Sequence, residues 1–290
     1  MKKYKIGLYE KAMRSTLSWK EMLECTKDCG YDYMEISIDA SEKRISRVYM
    51  SEQERKEIVD AMFETGVPIQ SMSVSALTKY AVGDPDPEIR NRGMEIAVKS
   101  IEFAAAIGIR TVMIPGYDIY FGESTVETKR YFLENIHIMA EVAEREGVLL
   151  GFETMENEFM NTVGKAVHYV DRVNSPYLKI YPDAGNITNA AVLYKHDVCE
   201  DLLLGEGRLI ALHLKETKPG IFREVPFLTG HVEFERVIKT AWKLGVRRYV
   251  TELWDVGQDS WKEDICFANQ SMRKLLDAQE YHEYMTNQKI

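Results

Sequence analysis

Four short apolar runs in this chain each end on or carry a residue that can bind a cation. They are Gly151-Phe152-Glu153-Thr154-Met155-Glu156, Ile180-Tyr181-Pro182-Asp183-Ala184-Gly185-Asn186, Ala211-Leu212-His213-Leu214-Lys215-Glu216 and Val250-Thr251-Glu252-Leu253-Trp254. Taken singly, Glu153, Asp183, His213 and Glu252 have ordinary structural uses. A strand-end Glu pairs with an Arg or caps a helix. A His between two leucines is a hydrogen-bonded core residue, and Asp183 before Ala-Gly-Asn shapes a turn. Taken together they are harder to dismiss. Three carboxylates converging without a cation repel one another and raise their own pKa values. One imidazole and three carboxylates with open positions suit a single divalent Mn, Mg, Co or Zn ion.

Such a site needs a scaffold that brings four strand ends to one rim. The chain repeats a helical pattern, a glycine and a short apolar strand, with the glycines at Gly30, Gly66, Gly108, Gly147 and Gly245. A glycine just past a helix is the usual left-handed cap. Ser18-x-x-Glu21, Ser51-x-x-Glu54 and Ser124-x-x-Glu127 have the spacing of capping boxes at helix starts. The pattern predicts strands over 6–10, 33–39, 69–75, 111–117, 149–155, 178–183, 209–215 and 248–254. Helices are predicted over 18–29, 51–65, 87–107, 124–146, 162–174, 190–204, 231–244 and 260–277. The strand runs are apolar rather than alternating, as strands buried on both faces require. Eight such units predict an α/β fold, a single-domain (β/α)8 TIM barrel over 1–280 with a C-terminal tail over 281–290. An open doubly wound sheet usually carries a phosphate-binding glycine fingerprint, and none follows the first strand. In a barrel, chemistry sits at the C-terminal strand ends, where the four residues fall.

Composition narrows the function classes. The chain has 290 residues, 45% hydrophobic and 29% charged, with four cysteines and a net charge of −9. No apolar run approaches the roughly 20 residues of a membrane span, and no secretory pattern opens the chain. The cysteines are too few for a disulfide scaffold, and a cytoplasmic setting is expected. The acidic balance without a Lys/Arg run argues against nucleic-acid and membrane partners. A multi-zinc nuclease wants several strand-end histidines. Here His137, His168, His196 and His282 fall in helical patterns and His231 starts the seventh helix, which leaves His213.

At these residues the sequence resembles the L-xylulose-5-phosphate/L-ribulose-5-phosphate 3-epimerases of the xylose-isomerase-like barrel superfamily. The resemblance runs through Gly7-Leu8-Tyr9-Glu10-Lys11-Ala12, Ile45-Ser46-Arg47, Pro115-Gly116-Tyr117-Asp118-Ile119-Tyr120, Phe159-Met160-Asn161, Tyr181-Pro182-Asp183-Ala184-Gly185-Asn186, His213-Leu214-Lys215-Glu216-Thr217-Lys218-Pro219-Gly220 and Glu252-Leu253-Trp254. It implies that Glu153, Asp183, His213 and Glu252 are the ligands of one divalent metal and that Glu153 and Glu252 are the catalytic pair. The implied reaction is C3 epimerisation of a ketose phosphate, of the pentulose or hexulose type. In that reaction a bound metal would supply Lewis-acid stabilisation of the charge that develops next to the ketose carbonyl. Two carboxylates on opposite faces of C3 serve as base and acid.

Glu156, Asn161, Asn186, Lys215 and Lys218 are candidates for contacts to hydroxyls, ligands or phosphate, with an ion-pair role equally open for Glu156 and Lys215. Tyr9, Tyr117 and Trp254 are candidates for the pocket wall. The loop after the seventh strand supplies Lys218 and Arg223 for a phosphate, and its Lys218-Pro219-Gly220 turn is expected to offer backbone N–H groups. Two stretches depart from the family: Ser75-Ala76-Leu77-Thr78-Lys79-Tyr80 replaces a more basic run, and Val225-Pro226-Phe227-Leu228-Thr229-Gly230 replaces a glycine-rich one. Competing functions are epimerisation of a free ketose, aldose–ketose isomerisation, non-catalytic sugar binding and, least favoured, metal-dependent nucleolysis. A homodimer or homotetramer is compatible with all of them.

Overall fold

The computed structural model describes residues 2–287. Among these, eight parallel strands make one sheet: β1 Lys5–Tyr9, β2 Tyr33–Ser37, β3 Ile69–Ser73, β4 Thr111–Pro115, β5 Leu149–Glu153, β6 Leu178–Ile180, β7 Leu212–Leu214 and β8 Arg248–Thr251. Neighbours pair in the order β6-β5-β4-β3-β2-β1-β8-β7. Bridges between Ile180 and Leu209 and between Asp183 and His213 join β6 to β7. The His213 N–H donates to the Pro182 carbonyl at 2.9 Å along this seam. The sheet is thereby a barrel, and the seam is also where two of the four candidate ligands meet.

The helices are α1 Trp19–Asp28, α2 Glu42–Ile45, α3 Glu52–Thr65, α4 Pro87–Ile107, α5 Val126–Glu146, α6 Val163–Val173, α7 Ala184–Tyr194, α8 Val198–Leu203, α9 Phe234–Lys243 and α10 Trp261–Asn287. The capping boxes at Ser18 and Ser51 form, each with its Glu side chain returning to the cap N–H at 2.7 Å. The third predicted box does not form. Thr125 caps α5, and the Ser124 hydroxyl instead donates to Asp118 at 2.6 Å. Gly66, Gly108 and Gly147 close their helices in the left-handed conformation, as their spacing predicts.

Several boundaries differ from the sequence pattern, chiefly in the second half of the chain. The helix expected over 190–204 is two helices, because Lys195 turns left-handed (φ 56°) and Asp197 starts a new one by accepting from the Cys199 and Glu200 N–H groups. His196 therefore lies between helices, and His231 precedes α9 rather than starting it. The last helix also outruns its pattern. It takes in 281–287 of the expected tail, where Glu283 accepts from the Trp242 indole at 3.0 Å; 288–290 lie outside the described residues. No described helix is long and apolar enough to cross a membrane.

Strand side chains divide by alternation. Leu8, Met34, Ile36, Val112, Ile114, Leu150, Phe152, Ile180, Leu212 and Leu214 join the main core, which reaches the surrounding helices. A second group of Tyr9, Tyr33, Met113, Tyr181, Ala211 and Val250 comes from the opposite faces and fills the barrel interior. Two glycines make room for it. A Cβ on Gly7 would sit 2.4 Å from the Tyr33 ring, and one on Gly151 would sit 2.9 Å from Tyr181. The Tyr181 side chain that Gly151 admits carries its ring to 4.9 Å from the His213 ring.

Candidate metal centre

Glu153 is the last residue of β5, and Glu252 follows β8 directly. Asp183 lies just beyond β6 as the N-cap of α7, and His213 is the middle residue of β7. The barrel brings these four from four adjacent strands so that one ligand atom of each lies within 4.8 Å of the others. All four are buried, Asp183 and His213 completely. Asp183 is held in place on one side only. Its Oδ1 accepts from the Asn186 N–H at 2.7 Å and from the Lys215 ammonium at 3.1 Å. Its Oδ2 is buried with no partner among the described residues. A buried carboxylate oxygen left bare is costly, and a cation at the cluster would satisfy it. The donor set and this orphaned oxygen both fit a divalent ion.

The electrostatics are strongly coupled. Burial drives the Glu153 carboxyl up, and the neighbouring Glu252 adds to it, to about 8. Burial also raises Asp183, to about 6, against the pull of Lys215. Glu252 goes the other way: Lys215 and His213 outweigh its burial and bring it down to about 2. Burial disfavours a charged His213, but Glu35 and Glu252 outweigh it and hold the ring well above its ordinary value. The His213 Nδ1 lies 2.8 Å from Glu252 and 3.8 Å from Glu153, while its Nε2 lies 2.6 Å from Glu35. With both nitrogens facing carboxylates, the metal-free ring is an imidazolium that donates twice.

A cation entering this cluster must displace protons. The neutral Glu153 carboxyl and the charged His213 ring are both poor ligands until they lose one. Metal affinity is therefore expected to rise with pH through the Glu153 value of about 8, and to go on rising for as long as His213 still holds its extra proton. Calorimetry near neutral pH in two buffers of different ionisation enthalpy should show at least one proton released per ion bound. Proton-neutral binding would contradict this charge assignment.

The other sequence candidates fall into three places. Tyr9 walls the cluster: its ring lies 6.1 Å from His213, and its hydroxyl donates to Ser37 at 3.3 Å. Lys215 is buried against Asp183, so its ion pair is internal rather than on the surface. Glu156, Asn161 and Asn186 line a cavity of about 220 Å³ together with Asn189, Gly220 and Phe222. Within it the Asn186 Oδ1 is buried without a partner among the described residues. Glu156 accepts from the Tyr117 hydroxyl and pairs with Arg223 at 2.9 Å. Trp254 faces a different hollow, lined with Val225, Phe227, Leu253, Val256 and Phe267.

The turn at Lys218 differs from its expected role. Lys218 and Ile221 exchange backbone hydrogen bonds at 3.0 and 2.8 Å, and the Gly220 N–H donates to Asn189 at 2.9 Å. Pro219 has no N–H. The turn therefore has no free amide to offer, and only the side chains of exposed Lys218 and of Arg223 remain for an anion.

Sequence reasoning passed over two residues. Glu216 is buried and accepts from the N–H groups of Thr217, Leu228 and Val232 at 3.0–3.1 Å, which ties down the loop carrying Lys218 and Arg223. Glu35 is fully buried in mid-β2 against His213. A carboxylate inside the run Tyr33-Met34-Glu35-Ile36-Ser37 was the available signal.

Residues 23–273 match the model of the xylose isomerase-like TIM barrel. The chain is 38% identical over 254 residues to L-ribulose-5-phosphate 3-epimerase UlaE of Shigella boydii serotype 18 and of Escherichia coli O157:H7, covering 87% of this chain and 88% of each relative. Among solved structures, an L-ribulose 3-epimerase superposes with a TM-score of 0.77 at 16% identity over 98% of both chains. The D-allulose 3-epimerase of Methylomonas sp. gives 0.75 at 17% over 93% of this chain and 96% of its own. At such identities the structural likeness speaks for the fold alone.

Proposed function

The chain belongs to the xylose isomerase-like TIM barrel family and, within it, to the L-ribulose-5-phosphate 3-epimerases, and from that premise we propose that it is a metal-dependent isomerase that inverts C3 of a ketose phosphate. The observation that carries this reading is the convergence of Glu153, Asp183, His213 and Glu252. Those four residues would hold one Mn, Co, Mg or Zn ion. A bound ion would supply Lewis-acid stabilisation of the charge that develops next to C3.

The chain's own residues do the rest. Glu153 and Glu252, from β5 and β8, flank the Asp183 and His213 positions, so a ketose seated over the cluster meets a carboxylate on either side. One takes the C3 proton and the other returns a proton to the opposite face. Asp183 and His213 serve as ligands only. Tyr9 closes one wall, and Asn161, Asn186 and Glu156 offer amide and carboxylate partners for the sugar hydroxyls. Turnover in D₂O is the direct test. Solvent deuterium at C3 of recovered substrate and product is expected, whereas an aldose product with no C3 exchange would make the enzyme an aldose–ketose isomerase. The same reading places it in the cytoplasm, where its four free thiols stay reduced.

The names of the relatives favour a phosphorylated substrate, with Lys218 and Arg223 as its seat. The engaged amides of the 218–221 turn, and the pairing of Arg223 with Glu156, favour the second reading, a free ketose. The ratio of kcat/KM for a ketose phosphate to that for the free ketose decides between them. The ratio is expected to exceed one and to fall about tenfold or more in Lys218→Ala with Arg223→Ala, since charge-assisted hydrogen bonds to a dianion are lost. A preference for the free sugar, or a ratio indifferent to both changes, makes the enzyme a free-ketose 3-epimerase.

A further inference from the structure

His213 is the only one of the four candidate ligands whose donor atom depends on a proton's position within a ring. A neutral imidazole carries one N–H and one bare nitrogen, and only the bare one binds a metal. Nδ1 is the nitrogen turned towards Glu252 and Glu153. For ligation the single ring proton must therefore sit on Nε2.

The group that meets Nε2 is Glu35. Its Oε1 accepts from Nε2 at 2.6 Å, and its Oε2 accepts from the Tyr181 hydroxyl at 3.0 Å. No Lys or Arg pairs with this fully buried carboxylate among the described residues. The Tyr181 ring stands edge-on to the imidazole at 4.9 Å, on a Cβ that packs against the bare backbone of Gly151. Both carboxylate oxygens are thus accounted for, one by the ring and one by the tyrosine that holds the carboxylate still. Glu35 comes from β2, on the far side of the barrel from β6 and β7, so this bond crosses the barrel interior.

We propose that Glu35 is a positioning residue that fixes the tautomer and ring plane of His213, keeping the proton on Nε2 and the lone pair of Nδ1 on the cluster. The proposal rests on the metal-centre reading above. Its physical basis is that a buried carboxylate without a cation of its own needs the N–H. Moving that proton to Nδ1 would leave Glu35 unpaired and put an N–H where the ion binds. The negative charge on Glu35 also makes Nδ1 a better donor. A carboxylate behind a metal-bound histidine is typically worth about 10–100-fold in metal affinity.

Titration calorimetry with Mn²⁺ or Zn²⁺ tests this on the whole protein. Glu35→Gln is expected to bind about 10–100-fold more weakly than wild type, and ¹⁵N spectra of the Zn²⁺-loaded wild type should show the His213 proton on Nε2. Tyr181→Phe keeps the carboxylate but frees one oxygen, and should weaken binding measurably but by less than Glu35→Gln; it serves if Glu35→Gln does not fold. Wild type that binds no divalent ion overturns the metal centre itself. Wild type that binds while a folded Glu35→Gln binds equally well overturns the positioning role alone. Unchanged binding by Tyr181→Phe, or a proton found on Nδ1, has the same consequence.

Discussion

Glu252→Gln, loaded with metal, is expected to epimerise its ketose about 10²–10⁴-fold more slowly than wild type, because a general acid–base group is worth about that much. Glutamine keeps the shape of the side chain and can still offer its carbonyl oxygen to a cation, but it cannot take or give a proton at C3. Glu153→Gln should fall by a similar factor. The pair are distinguishable in D₂O. If each carboxylate serves one face, each variant loses exchange from one epimer more than from the other. Both residues are also proposed ligands, so metal content must be measured alongside rate. A metal-loaded Glu252→Gln enzyme with wild-type turnover would refute its catalytic role and leave it a ligand only.

His213→Ala is expected to lose bound metal, with elemental analysis falling from about one ion per chain to near none at stoichiometric loading. The change removes a ligand and also the proton donor on which two buried carboxylates rely. Glu35 and Glu252 both lean on this ring, at 2.6 and 2.8 Å. Breaking a buried ion pair by deleting one partner typically destabilises by about 3–5 kcal/mol. The variant should therefore also unfold at a lower denaturant concentration, whether or not metal is present. Lys215 still neutralises Asp183 from the other side, so the fold is expected to survive. Full metal retention by folded His213→Ala would remove His213 from the ligand set.

The number and order of the strands were legible because their signals are local. A buried parallel strand is a short apolar run, a helix start is a serine three residues before a glutamate, and a helix end is a glycine free to turn left-handed. Each is complete within about a dozen residues, and Ser18, Ser51, Gly66, Gly108 and Gly147 behave in the structure as their neighbours in sequence require. Where the local signal was incomplete the boundary slipped. The break at 195–197 uses a lysine in a left-handed turn where no glycine marked it. The start of α5 uses Thr125 because Asp118 draws the Ser124 hydroxyl away.

By itself the sequence determined the barrel and the four strand-end residues that can face one another on its rim, because closure of eight parallel strands sends every strand end to the same side. The tertiary structure decided what those residues touch. Glu35 and His213 are separated by 178 positions, and nothing near either one names the other. Their bond exists because β2 and β7 point inward at the same depth of a closed barrel whose interior Gly151 leaves open for Tyr181. The burial of Lys215 beside Asp183, and the engagement of every amide in the 218–221 turn, have the same origin. Hydrophobic periodicity specifies which way a side chain faces. Only the packed interior, where a buried polar atom must find a partner, specifies which one it finds.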